Sequence, residues 1–162
     1  FCQLASTKFT PLLETITMFK YFPFIKNDFL IVLRNDKAES LLYLFPLIER
    51  IIVEILSLEP NSDIEHYSQG TYRTMNEILN KNKDILTELL GYEIYQSLCY
   101  LYIDNNNNKS LRNQICHIKA TIRIPSNVIT EVKSLAIMLL MILESMLTQR
   151  EEIVKKHIEI LD

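Results

Sequence analysis

Arg112, Asn113 and His117 lie in the segment Ser110 to Lys119, SLRNQICHIK, as an Arg-Asn-x-x-x-His string that follows the polar loop Asp104 to Ser110. A guanidinium fork matches two phosphate oxygens, and an imidazole trades protons near neutrality. One helical turn therefore carries groups that could clamp a phosphate and move a proton beside it. Six arginines and three histidines in 162 residues give roughly 0.1 accidental Arg-x4-His pairs, and twelve asparagines reduce the full string to about 0.01. Arg34-Asn35 is an internal control, because it repeats the first two residues and then places Glu39 where the histidine would stand. Only the second copy could do the chemistry.

At about 100° per residue, Asn113 and His117 share one helix face, while Arg112 is turned about 140° from His117. Arginine is long enough to bridge that angle, so both groups can meet one ligand held at the helix start, where free amides also attract anions. Lys109, Lys119 and Arg123 extend the site as RNA-binding candidates, since positions 109 to 123 contain no acidic residue. One protomer lacks a second proton-transfer group. A two-fold dimer placing two such helices side by side would supply it.

The elements that must hold this string read as helices. The chain has two glycines and five prolines, too few turn formers for a sheet of many strands, while Leu, Ile, Lys and Glu recur throughout. The expected fold is all-α, a single domain over residues 1–162, built as a bundle of four to five helices with a long C-terminal one. Residues 9–33 suit one broken helix or two short ones around Pro23. The segment SLLYLFPLIERIIVEILSLE repeats apolar residues with a 3.6-residue period and predicts a helix, bent or restarted near Pro46. Residues 60–71 read as a loop or weak helix, and 72–79 and 84–103 as helical, with Gly91 inside the second as an unfavourable residue. Four asparagines from 105 to 108 favour a turn, which puts the string at the start of a new helix capped by Ser110. Pro125 closes that region, and a last helix runs from Asn127 to about Leu161. Its run LAIMLLMIL, residues 135–143, is too short to cross a bilayer and reads as buried, so no membrane partner is expected.

A net charge of −3 excludes a polycation that coats nucleic acid, leaving any such role to the local basic segment. Cys2, Cys99 and Cys116 form an odd set without metal-ligand spacing, so no disulfide framework, metal site or other cofactor is indicated, and a reducing cytoplasm is the expected location. The chain begins at Phe1, shows no signal peptide and is expected to be a piece of a longer protein. His66 and His157 have no comparable company and read as solvated. Cys116 points about 100° away from His117 on a helix, which suits packing rather than a nucleophile pair. Tyr92, Tyr95, Tyr100 and Tyr102, and the stripe Met138, Met141 and Met146, read as core or dimer packing rather than base stacking or a ligand groove.

An Arg-Asn-x-x-x-His string opening a late helix of a small all-α domain resembles the signature of the HEPN superfamily. The resemblance implies a helical bundle that dimerises through its motif helices and, in active members, cleaves RNA without a metal. It would make Arg112 the phosphate ligand, His117 the base or acid, and Asn113 the polar residue that orients the site. Members also often carry a charged or polar residue on an earlier long helix facing the motif. Glu49 is the candidate here, with Arg50 second. Active members frequently have a small residue before the histidine and a glycine after it, whereas this chain has Cys116 and Ile118. The expected function is a metal-independent endoribonuclease in a defence, toxin or stress system, controlled by an antitoxin or regulatory domain. The alternative is a non-catalytic module that binds a nucleotide, RNA or protein, or simply dimerises.

Overall fold

In a computed structural model the described residues are 32, 34, 37, 39–64, 74–105, 109–116 and 124–161, with side chains described as far as residue 150. They form an all-α bundle whose helices are α1 (Ser40–Ser57), α2 (Met75–Lys81), α3 (Lys83–Leu90), α4 (Tyr92–Tyr102), α5 (Leu111–Cys116) and α6 (Ser126–Leu161). The segment 9–33 lies outside the described residues except for Val32, which is buried.

The periodicity of α1 and α6 explains the core. Leu41, Leu44, Ile48, Ile51, Ile52 and Ile55 make one fully buried face of α1. Ile129, Val132, Ala136, Leu139, Leu140 and Leu143 recur at the same spacing on α6, and these two helices share the most extensive contact of the bundle. Two apolar stripes at helical period can escape water only by packing on each other. α1 runs through Pro46 without restarting. The 126–150 part of α6 is long and apolar enough to cross a membrane by length and composition, so the short apolar run understated this helix. Its face against α1 belongs to the core, and a soluble core helix passes the same test.

The long helix expected over 84–103 is two helices. Gly91 separates α3 from α4 with φ 84° and ψ 154°, a region open to glycine and closed to residues with a Cβ. A Cβ at Gly91 would meet nothing within 4 Å, so the demand is on the backbone alone. Gly91→Ala is expected to cost roughly 1–3 kcal/mol, read as a lower thermal midpoint. Upstream, α2 starts at Thr74, whose hydroxyl accepts from the Glu77 N–H while the Glu77 carboxylate accepts from the Thr74 N–H. This reciprocal cap sets the start of the helix. Tyr72 and Arg73 lie outside the described residues.

Asn82 joins α2 to α3 and is buried with its amide engaged. Its Nδ2 donates to the Ile78 carbonyl at 3.0 Å, and its Oδ1 accepts the Asp63 N–H at 2.9 Å. Tyr102 ties α4 to α1: its buried hydroxyl donates to the Phe45 carbonyl at 2.9 Å, and its ring meets Phe45 edge-on at 6.0 Å. Of the two expected roles, core or dimer packing, Tyr95 and Tyr102 take the core, whereas Tyr92, Tyr100, Met138 and Met141 are exposed in the single chain and only the core role is excluded for them. They sit on helix faces that the bundle leaves outside.

Candidate functional site

The site forms where the middle of α1, the end of α4 and the start of α5 meet. On α1, Ile48 is fully buried and Glu49 comes next, at the edge of the apolar face, with its side chain 29% exposed. Tyr102, one turn of α1 below at Phe45, clamps α4 against this edge and sets where the chain leaves α4. The loop that follows is closed by Asp104. Its Oδ1 accepts the Ser110 N–H at 2.7 Å. Ser110 is buried and caps α5, with Oγ accepting the Asn113 N–H at 3.4 Å and its carbonyl accepting the Gln114 N–H at 3.0 Å. The expected cap is therefore present.

Arg112 and Glu49, far apart in sequence, meet here: Arg112 Nε lies 3.5 Å from Glu49 Oε1. Arg112 Nη1 also donates to Asn113 Oδ1 at 3.3 Å. Asn113 Nδ2 in turn donates to both Asp104 oxygens, at 3.0 and 3.2 Å. The result is one chain of contacts from Glu49 through Arg112 and Asn113 to Asp104. A guanidinium has five N–H groups, and contacts among the described residues use two of them, so three are left there for a further acceptor.

Burial is the largest influence on the Glu49 carboxyl and pushes it above its ordinary range, with the Arg112 guanidinium pulling it back down. Asp104 is exposed and held below the usual carboxylate range, first by the Ser110 N–H and then by the Asn113 amide, with Lys109 adding to the effect. Burial raises the Tyr102 phenol well above its usual range; Glu49 adds to that rise and Arg112 opposes it. The phenol donates to the Phe45 carbonyl, while Glu49 faces Arg112 and Asp104 lies within the influence of Lys109.

The structure thus brings together Arg112, Asn113 and Glu49, and it places Lys109 exposed on the same loop. Arg50 is not at the motif; it pairs with Glu54 along α1. His117, Lys119 and Arg123 lie outside the described residues, as does His66, and nothing is described of the His157 side chain. Cys116, expected as a packing residue, is exposed, because the buried residues of this short helix are Leu111 and Ile115. Sequence reasoning missed Asp104. A signal was available, since it is the one acidic residue between Glu93 and Glu131 and directly precedes the asparagine run.

A groove of about 560 Å³ runs beside the site between α4 and α6, lined by Tyr100, Leu101, Leu111, Val132, Leu135 and Met138 among others. Leu111, the residue before Arg112, reaches into it.

Compared with protein families, characterised proteins and solved structures, the chain shows no match.

Proposed function

We propose that the protein is a metal-independent endoribonuclease of HEPN type, with a composite site formed by two copies of the motif helix at a two-fold interface. The observation that carries this reading is the meeting of Arg112 with Glu49, which unites the motif's phosphate ligand with the acidic candidate on the earlier long helix. In the reaction, the ribose 2′-oxygen forms a bond to the adjacent phosphorus and the bond from phosphorus to the 5′-oxygen breaks. One His117 takes the 2′-OH proton, and the copy across the dimer gives a proton to the leaving 5′-oxygen. Arg112 offers its remaining N–H groups to the phosphate oxygens as charge builds on them. Lys109, Lys119 and Arg123 hold the flanking backbone. DNA is spared for want of the 2′-OH. A cytoplasmic defence, toxin or stress role under an antitoxin or regulatory domain fits such an activity.

The test is incubation of purified protein with labelled RNA in excess EDTA, followed by analysis of product ends. Cleavage with 2′,3′-cyclic phosphate ends, lost in His117→Ala, is the expected result. No cleavage, or equal cleavage by both proteins, would favour the second reading, a non-catalytic module for nucleotide, RNA or protein binding and dimerisation. One observation speaks for that second reading. Arg112 is already held by Glu49 and Asn113, an arrangement that a purely structural ion pair would also show.

A further inference from the structure

A carboxylate next to a phosphate-binding motif works against RNA affinity, so the position of Asp104 asks for a reason. The reason lies in the amide of Asn113. Its oxygen and nitrogen ends are alike in shape, and only their partners determine which end faces where. An ionised carboxylate can only accept, so Asp104 draws Nδ2 toward itself, at 3.0 and 3.2 Å from its two oxygens. Oδ1 is thereby turned toward Arg112, whose Nη1 donates to it at 3.3 Å. With the amide reversed, two sets of N–H donors would face each other and Arg112 would lose that hold.

We propose that Asp104 is a positioning residue for Arg112, acting through the Asn113 amide. Asp104 is itself fixed by the Ser110 N–H at 2.7 Å, and Ser110 is buried at the cap of α5, so the carboxylate is anchored to the helix that carries the motif. Glu49 Oε1 holds Arg112 from the other side at 3.5 Å, and the guanidinium is oriented between two acceptors on different elements. The Ser110 N–H and the Asn113 amide hold the Asp104 carboxyl below its ordinary range, as befits a carboxylate that accepts from both. Lys109 offsets part of its charge. The catalytic consequence rests on the endoribonuclease reading, whereas the geometric one does not.

The experiment is a swap of the two partners, read in two ways. The Arg112 Nε–H resonance, identified by its loss in Arg112→Lys, reports the orientation of the guanidinium. Initial rates on labelled RNA report kcat and KM. Asn113→Asp sets two carboxylates face to face; it is expected to shift the resonance and lower kcat/KM about tenfold, within the range for directly coupled neighbours. The double variant Asp104→Asn with Asn113→Asp re-forms the bond with donor and acceptor exchanged and keeps an acceptor toward Arg112. It is expected to restore the resonance and to bring kcat/KM back to within about threefold. Asp104→Ala, which removes the acceptor without adding repulsion, is expected to shift the resonance as well. A resonance unmoved in Asp104→Ala and Asn113→Asp, or a double variant no closer to wild type than Asn113→Asp, would overturn the proposal. If the wild type cleaves no RNA, the endoribonuclease reading fails and the resonance alone decides the role of Asp104.

Discussion

His117→Ala is expected to lower RNA cleavage by about 10²–10⁴-fold, the range lost with a single acid–base group. Binding of RNA should fall much less, because in the proposed mechanism Arg112 and the basic residues around it carry the phosphate contacts. A gel-shift titration beside the cleavage assay separates the two effects. The proposed pair of imidazoles, acting as base and acid across a dimer, predicts a bell-shaped dependence of kcat/KM on pH, with both apparent pKa values belonging to the pair. A mixing experiment tests the composite site directly. Heterodimers of His117→Ala with wild type should retain far less than half of the wild-type rate. A rate of half would mean that each protomer works alone and would sink the two-fold mechanism.

Arg112→Ala is expected to lower kcat by about 10²–10³-fold, as for other donors that stabilise charge in a transition state. It should also change the stability of the bundle in a pH-dependent way. Burial already raises the Glu49 carboxyl, and Arg112 is what opposes that rise. Without the guanidinium the folded-state pKa of Glu49 climbs further above its unfolded value. A group raised in this way contributes stability that is fully present below the unfolded pKa and is lost as pH rises through the folded one. The deficit of Arg112→Ala relative to wild type should therefore be smallest in mild acid and grow through the carboxylate range toward neutrality. Its size is about 1 kcal/mol, because both side chains are partly exposed, at 42% and 29%. Glu49→Gln in the Arg112→Ala background should remove the pH-dependent part. Urea unfolding of the three proteins at pH 4 and pH 7 measures it. A deficit equal at both pH values, or unchanged by Glu49→Gln, would show that Arg112 does not stabilise the partly buried carboxylate.

The two halves of the site differ in how far they could be read in advance. Ser110 as the cap of α5 follows from local rules, because an N-cap needs only a short oxygen-bearing side chain a few residues before the N–H it serves. Glu49 as the partner of Arg112 is suggested in the sequence only by the family resemblance. Nothing in PLIERII distinguishes Glu49 from Arg50 until the apolar face of α1 is seated on α6 and turns one toward α5 and the other along its own helix. Asp104 reads in the sequence as one more polar residue of a loop. Its role depends on contacts with Ser110 and Asn113, six and nine residues further on, which residue type alone does not specify.

By itself the sequence determined that the protein is helical, where its two principal helices run and which residues line the buried face of α1, whereas on α6 the whole run 135–143 reads as buried although Met138 and Met141 are exposed. These properties follow from local periodicity: an apolar stripe repeating every 3.6 residues has one low-energy shape and one side that must leave water. Only the tertiary structure decided that Gly91 separates two helices, that Tyr100 and Met138 remain exposed beside a groove, and that Glu49, Arg112, Asn113 and Asp104 form one connected chain. Those outcomes depend on a backbone angle and on distances between elements remote in sequence. They are set by how whole faces pack, which no single stretch of residues encodes.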